Sequence, residues 1–166
     1  MAEARVLVVG LGSPRGEDAV GWEAVAALGP TPPGVEALIW RGAPAALLPR
    51  LVEAPALAVV DAVGEGLAPG EVAEVPPDRL RRAAAWSTHA AGLEELPALR
   101  AALGRRGPVL VLGIGVDPAT CREGASCGPR ARAAAALAAS RLRAWWEGLG
   151  PEGPLRGAVE RLGNGG

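Results

Sequence analysis

Lysine, tyrosine and phenylalanine are absent from this sequence of 166 residues, and histidine occurs once, at His89. Without lysine, the protein has neither Schiff-base chemistry nor a P-loop lysine, and all its side-chain positive charge comes from arginine. No apolar run is long enough to span a bilayer, and the net charge of −1 comes without a basic stripe. The sequence therefore predicts a protein that binds neither membranes nor nucleic acids.

Cysteine is also scarce. Cys121 and Cys127 are too few for a disulfide framework, and their spacing fits no common zinc knuckle. Three interpretations stay open: a peripheral disulfide, an incidental oxidation site, or two buried thiols. The N-terminal residues lack the pattern of a signal peptide, which predicts a cytoplasmic protein.

Short apolar runs alternate with helical patterns along the chain. Strands are predicted over residues 5–10, 35–40, 56–61, 71–75 and 108–114, and helices over residues 20–28, 45–52, 93–103 and 129–146. This alternation predicts an α/β fold, a three-layer α/β/α arrangement around a mostly parallel twisted sheet of about five strands. We expect one domain over residues 1–150 and a Gly/Pro-rich tail over residues 151–166.

Acidic and imidazole side chains follow several of the predicted strands. Glu17 and Asp18 come after the first strand, Asp61 ends the third, and His89 precedes a helix. The carboxyl ends of parallel strands meet at one edge, so these groups can converge. Two carboxylates and one imidazole suit nickel, zinc, iron or manganese.

Each of these residues also has a structural interpretation. Asp18 can cap a helix, Asp61 can bond to loop amides, and His89 can simply begin a helix. The occurrence of all three at one edge favours the metal site over these separate roles.

The opening glycines permit a different function. Gly10 and Gly12 follow the first strand as in a dinucleotide-binding turn, but the third glycine is one residue too far along, at Gly16. Acids at positions 17 and 18 would also repel a pyrophosphate, and Arg41 stands where an NAD site has an acid. A Rossmann-like module that binds a nucleotide or another small ligand is the alternative function.

Four blocks of the sequence resemble the hydrogenase maturation endopeptidases. The blocks are GLGSPRGEDAVG at residues 10–21, VVDAVGEGLAPGEV at 59–72, STHAAGLEEL at 87–96 and VLVLGIGVDP at 109–118. The resemblance implies a five-stranded sheet between helices. It also implies an enzyme that cuts a C-terminal extension from the large subunit of nickel-iron hydrogenases after nickel insertion.

The same resemblance implies how the substrate is recognised. The family senses the nickel of the hydrogenase precursor through two acids and one histidine, which correspond here to Asp18, Asp61 and His89; zinc or cadmium can substitute for the nickel. The opening loop is one residue shorter than the usual pattern, with Ser13 in place of Asn, so Glu17 stays an alternative to Asp18. A family relative with a different protein target is the third functional hypothesis.

Overall fold

The computed structural model describes residues 5–76 and 95–149, apart from the side chain of residue 44. The predicted polar turn with His89, the first residues of the helix predicted from position 93, and the tail over residues 151–166 lie outside the described residues.

The described residues form one five-stranded sheet. In chain order its strands are β1 (Val6–Gly10), β2 (Val35–Ile39), β3 (Ala56–Val63), β4 (Val72–Glu74) and β5 (Val109–Gly115). The spatial order is β2-β1-β3-β5-β4, and every neighbouring pair is parallel except β4 with β5, which is antiparallel. The predicted mostly parallel sheet is confirmed, and the short strand predicted at an edge lies at one.

Helices cover both faces of the sheet, which confirms the three-layer arrangement. They are α1 (Val20–Ala26), α2 (Pro44–Glu53), α3 (Leu96–Ala102) and α4 (Pro129–Gly148). One core joins alternate strand residues to α1 and α4, and the other joins the remaining strand residues to α2 and α3. This division follows from strand geometry, because successive side chains point to opposite faces of a sheet. None of the helices in the described segments has both the length and the hydropathy that a bilayer crossing requires.

The structure corrects the end of the third strand. The sequence places this end at Asp61, but β3 continues through Ala62 and Val63, which pair with Ile114 and Gly115 of β5. Both added residues are buried, so the apolar run continues past the acid instead of stopping there. Asp61 consequently lies inside a central strand, one residue beyond the last pair between β1 and β3.

A buried arginine joins α3 to the end of α2. The guanidinium of Arg100 is 2% exposed, and its Nη1 donates to the carbonyl oxygens of Leu51 and Ala54 at 2.8 Å and of Val52 at 3.2 Å. These carbonyls belong to the last turn of α2 and the residue after it, where a helix leaves carbonyl groups without intrahelical partners. The positive charge also complements the negative end of the helix dipole.

We expect Arg100→Lys to lower the free energy of unfolding by about 1–3 kcal/mol, because one ammonium cannot reach both these carbonyls and that of Gly107, to which Nη2 donates at 3.4 Å. Urea unfolding measures the change. Arg105→Lys is the matched control, since Arg105 is exposed, and it should leave stability unchanged. Equal stability of the two variants would contradict a capping role for Arg100.

Candidate functional site

The candidate site begins where β1 turns into α1. The chain leaves Gly10 and forms a 3₁₀ turn at Gly16–Ala19 that leads directly into α1. A Cβ atom on Gly21 would lie 2.2 Å from the carbonyl oxygen of Leu11 and 2.7 Å from that of Val60. Only glycine permits so close an approach of the helix to the strands, so this glycine has a packing role that requires no phosphate ligand.

Asp18 is buried in this 3₁₀ turn, with 6% of its surface exposed. The hydroxyl of Ser13 donates to its Oδ2, and the Ser13 amide donates to its carbonyl oxygen at 3.3 Å. The capping positions of the 3₁₀ turn and of α1 are Arg15 and Ala19, and neither has a side-chain cap. The structure therefore does not use the Asp18 carboxyl as the helix cap that the sequence also allowed.

Asp61 is buried in β3, with 5% of its surface exposed. The amide of Ala62 donates to its Oδ1 at 2.8 Å, which is the backbone bond that the structural interpretation of this residue anticipated. Burial raises the pKa of Asp61 to about 8, the Ala62 amide opposes this rise, and the nearby charge of Asp18 adds to it. An acid of such a pKa in a protein interior is a functional-site candidate, since a structural carboxylate is normally stabilised in its charged form.

The turn that carries Asp18 packs against β3, the strand that carries Asp61. The amide of Leu11 donates to the carbonyl oxygen of Val60 at 2.9 Å, so the segment leaving β1 runs alongside the residue before Asp61. The charge of Asp18 acts directly on the Asp61 carboxyl. Two buried carboxyl groups that are close enough to interact repel each other when both are ionised, and a cation or a shared proton relieves that repulsion.

Glu17 has its hydrogen-bond partner in another turn at the same edge of the sheet. Its side chain is also buried, and its Oε2 accepts a hydrogen bond of 2.9 Å from the hydroxyl of Thr120. Thr120 belongs to a second 3₁₀ turn, Pro118–Thr120, which follows β5. The two adjacent acids, which the sequence does not distinguish, thus have different partners.

His89 lies outside the described residues, so the structure leaves its predicted role untested. Within residues 5–76 and 95–149, no group of three or more His, Cys, Asp or Glu side chains is arranged to hold a metal ion. Of the three predicted metal ligands, Asp18 and Asp61 lie in the described part of the chain. The role of His89 as the third ligand stays a prediction.

The two cysteines are free thiols, and both are half-buried. Burial raises the pKa of Cys121, with the charge of Asp18 adding to the rise, and raises the pKa of Cys127 to about 11. Both groups are therefore protonated near pH 7. The structure therefore has two free thiols rather than a disulfide, and they are half-buried where the third interpretation has buried thiols.

Arg41 lies on the ring of Trp22, with its guanidinium carbon 4.1 Å from the ring centroid. The indole of Trp22 in turn donates to the carbonyl oxygen of Trp40 at 2.9 Å. This cation–π contact gives Arg41 a partner within the protein that requires no nucleotide 2′-phosphate.

Thr120 is a candidate residue that no motif in the sequence indicates. The available signal was its position after β5, whose carboxyl end reaches the same edge of the sheet as those of β1 and β3. Asp117 and Thr120 close a short turn there, in which Asp117 Oδ1 accepts from the amide of Ala119 at 2.9 Å. A Pro-containing turn with these residue types is recognisable in a sequence, but its distant partner is not.

Known structures share this architecture. A solution structure of an endopeptidase from Escherichia coli is 24% identical, with a TM-score of 0.73, and the match covers 88% of this chain and 94% of that one. The hydrogenase maturating endopeptidase HybD from E. coli is 24% identical, with a TM-score of 0.70 and the same coverage. The [NiFe] hydrogenase maturation protease HycI from Thermococcus kodakarensis is 19% identical, with a TM-score of 0.64 and again the same coverage. At these identities the structures establish the fold alone.

Sequence comparison establishes the family. No protein with a curated description matches this chain in sequence. The sequence profile of the hydrogenase maturation proteases matches residues 42–143, which is more than half of the chain and includes Asp61 and position 89. This chain belongs to the hydrogenase maturation protease family.

Proposed function

We propose that this protein is the endopeptidase that removes the C-terminal extension from a nickel-loaded hydrogenase large subunit. Membership of the family supports the reaction class. The observation that carries the proposal is the burial of two acids, Asp18 in the turn after β1 and Asp61 in β3, with the charge of Asp18 acting on the Asp61 carboxyl group. Open α/β sheets bind their ligands at the carboxyl ends of their strands.

Asp18, Asp61 and His89 recognise the nickel of the substrate in this proposal. The raised pKa of Asp61 means that its carboxyl group is mostly protonated at pH 7 while no cation is near. A divalent ion replaces that proton, because its charge compensates both carboxylates at once. Recognition thus depends on the metal, so a precursor that has not received nickel is not engaged.

The metal of the substrate also contributes to cleavage. A bound metal ion polarises a carbonyl group and lowers the pKa of a coordinated water molecule, and both effects favour hydrolysis of a peptide bond. The protein contributes the two buried carboxyl groups that bind the metal. We place this reaction in the cytoplasm, with the large-subunit precursor as the partner protein.

Cleavage of a precursor encoded in the same genome tests the proposal. We expect the purified protein to remove the C-terminal extension from the nickel-loaded precursor and to leave the nickel-free precursor intact. Mass spectrometry of the large subunit gives both the extent of cleavage and the bond that is cut. A precursor loaded with zinc or cadmium should also be engaged, since both ions accept carboxylate and imidazole ligands.

A hydrogenase precursor whose large subunit lacks the C-terminal extension is the negative control. Cleavage of the nickel-free precursor at the same rate would contradict metal recognition. Failure to cleave the nickel-loaded precursor would contradict the proposed substrate and favour a relative with another target.

A further inference from the structure

Glu17 and Asp18 occupy successive positions of one short 3₁₀ turn. Such a turn has three residues per revolution, so neighbouring side chains point about 120° apart. A rotation of the turn by one residue would exchange the two acids. The rotational setting of this turn therefore decides which carboxyl group lies next to Asp61.

The hydroxyl of Thr120 binds the carboxyl group of Glu17. Thr120 Oγ1 lies 2.9 Å from Glu17 Oε2, and Glu17 is 6% exposed. Thr120 is itself fixed, because its amide donates to the carbonyl oxygen of Asp117 at 2.9 Å, and its single hydroxyl proton is shared between that oxygen, at 2.6 Å, and Glu17 Oε2. The carboxyl group of Glu17 is thus bound to a rigid point outside its own turn.

A second contact joins the same two turns through their backbones. Gly16 has a φ of +59°, and a Cβ atom there would lie 2.0 Å from the carbonyl oxygen of Thr120. The 3₁₀ turn after β1 therefore packs directly on the turn after β5, and only a residue without a side chain fits between them. Gly16 and Glu17 both contact Thr120, and these two contacts oppose rotation of the turn.

We propose that Glu17 and Thr120 are positioning residues, which form a clasp that keeps Asp18 beside Asp61. This inference rests on the proposed function, in which Asp18 contacts the metal of the substrate. In this proposal Glu17 is not a ligand of the metal. Its carboxyl group binds Thr120, so only the carboxyl group of Asp18 is available to the site.

Removal of the Thr120 hydroxyl tests the clasp. Thr120→Val keeps the shape of the side chain and loses the hydrogen bond, whereas Thr120→Ser keeps the bond. We expect Thr120→Val to weaken the binding of Ni²⁺ alone by about tenfold, because Asp18 is then less well positioned; loss of contacts outside the ligand shell typically has an effect of this size. Thr120→Ser should bind as the wild type does. Isothermal titration calorimetry measures both affinities. The two cysteines are present in every variant, so any Ni²⁺ that they bind does not alter the comparison.

Two substitutions of Glu17 distinguish positioning from direct ligation. Glu17→Gln keeps an oxygen that accepts from Thr120, so its Ni²⁺ affinity should stay close to that of the wild type. Glu17→Leu loses the acceptor and should resemble Thr120→Val. A loss in Glu17→Gln as large as that in Asp18→Asn would make Glu17 a ligand and overturn the clasp.

Thr31→Val is the matched control. The hydroxyl of Thr31 donates to the carbonyl oxygen of Val35 at 2.8 Å, beside the amino end of β2 and away from the candidate site. This substitution should change neither Ni²⁺ affinity nor precursor cleavage. Thermal unfolding of all variants, followed by circular dichroism, separates a change in the site from a loss of fold.

The outcomes distinguish the clasp from the function on which it rests. If Asp61→Asn stops cleavage while Thr120→Val and Glu17→Leu bind Ni²⁺ and cleave as the wild type does, the function stands and the clasp is wrong. If the wild type neither binds Ni²⁺ nor cleaves the nickel-loaded precursor, the proposed function fails. The clasp then fails with it, because no site is left to position.

Discussion

Asp61→Asn is expected to leave the hydrogenase precursor uncut while the protein still folds. Asparagine has the same size as aspartate, and its Oδ1 can still accept from the amide of Ala62. The substitution removes only the ability to carry a negative charge. Loss of a residue that only hydrogen-bonds to a metal ligand typically lowers metal affinity or activity by 10-fold to about 100-fold. Loss of the ligand itself should therefore lower the cleavage rate at least about a hundredfold.

The measurement is the rate of cleavage of the nickel-loaded precursor at saturating and at limiting concentrations. Glu74→Gln is the control, since it removes an exposed acid from the edge strand of the same sheet and should cleave normally. Circular dichroism and unfolding in urea establish that the inactive variant is folded. Normal cleavage by Asp61→Asn would remove this residue from the site.

The fold could be predicted from the sequence because its signals are local. Each parallel strand is a short apolar run next to a helical pattern, and a strand covered on both faces requires such a run. The predicted end of β3 at Asp61 was wrong because a charged side chain usually terminates a buried strand. Asp61 departs from that tendency, since its carboxyl group is predominantly neutral at pH 7 and Val63 extends the pairing with β5.

The site could be predicted only in part, because its decisive contacts are not local. Strand ends and residue types suggested Asp18 and Asp61, and in the structure both are buried and the charge of Asp18 acts on Asp61. The bond between Glu17 and Thr120 joins residues 103 positions apart, so no spacing rule reveals it. The raised pKa of Asp61 likewise depends on burial by several elements, which a single sequence does not contain.

The same pKa predicts that the stability of the folded protein falls as the pH rises from about 4 to about 8. The pKa of Asp61 is near its model value of 3.8 in the unfolded chain and about 8 in the folded protein. Between these values the folded protein holds a proton that the unfolded chain has released. The free energy of unfolding therefore decreases with pH in this window and becomes independent of Asp61 above it.

Asp61→Asn isolates this effect, because asparagine cannot ionise and resembles the protonated acid. Between pH 5 and pH 7, the wild type should lose up to about 3 kcal/mol of stability relative to the variant, since each pH unit inside the window contributes about 1.4 kcal/mol. Urea unfolding of both proteins at several pH values measures the difference. Most other titrating groups are common to the two proteins, so their contributions largely cancel. Parallel stability profiles for the two proteins would mean that Asp61 is ionised in the fold, and the substrate's metal would then displace no proton from it.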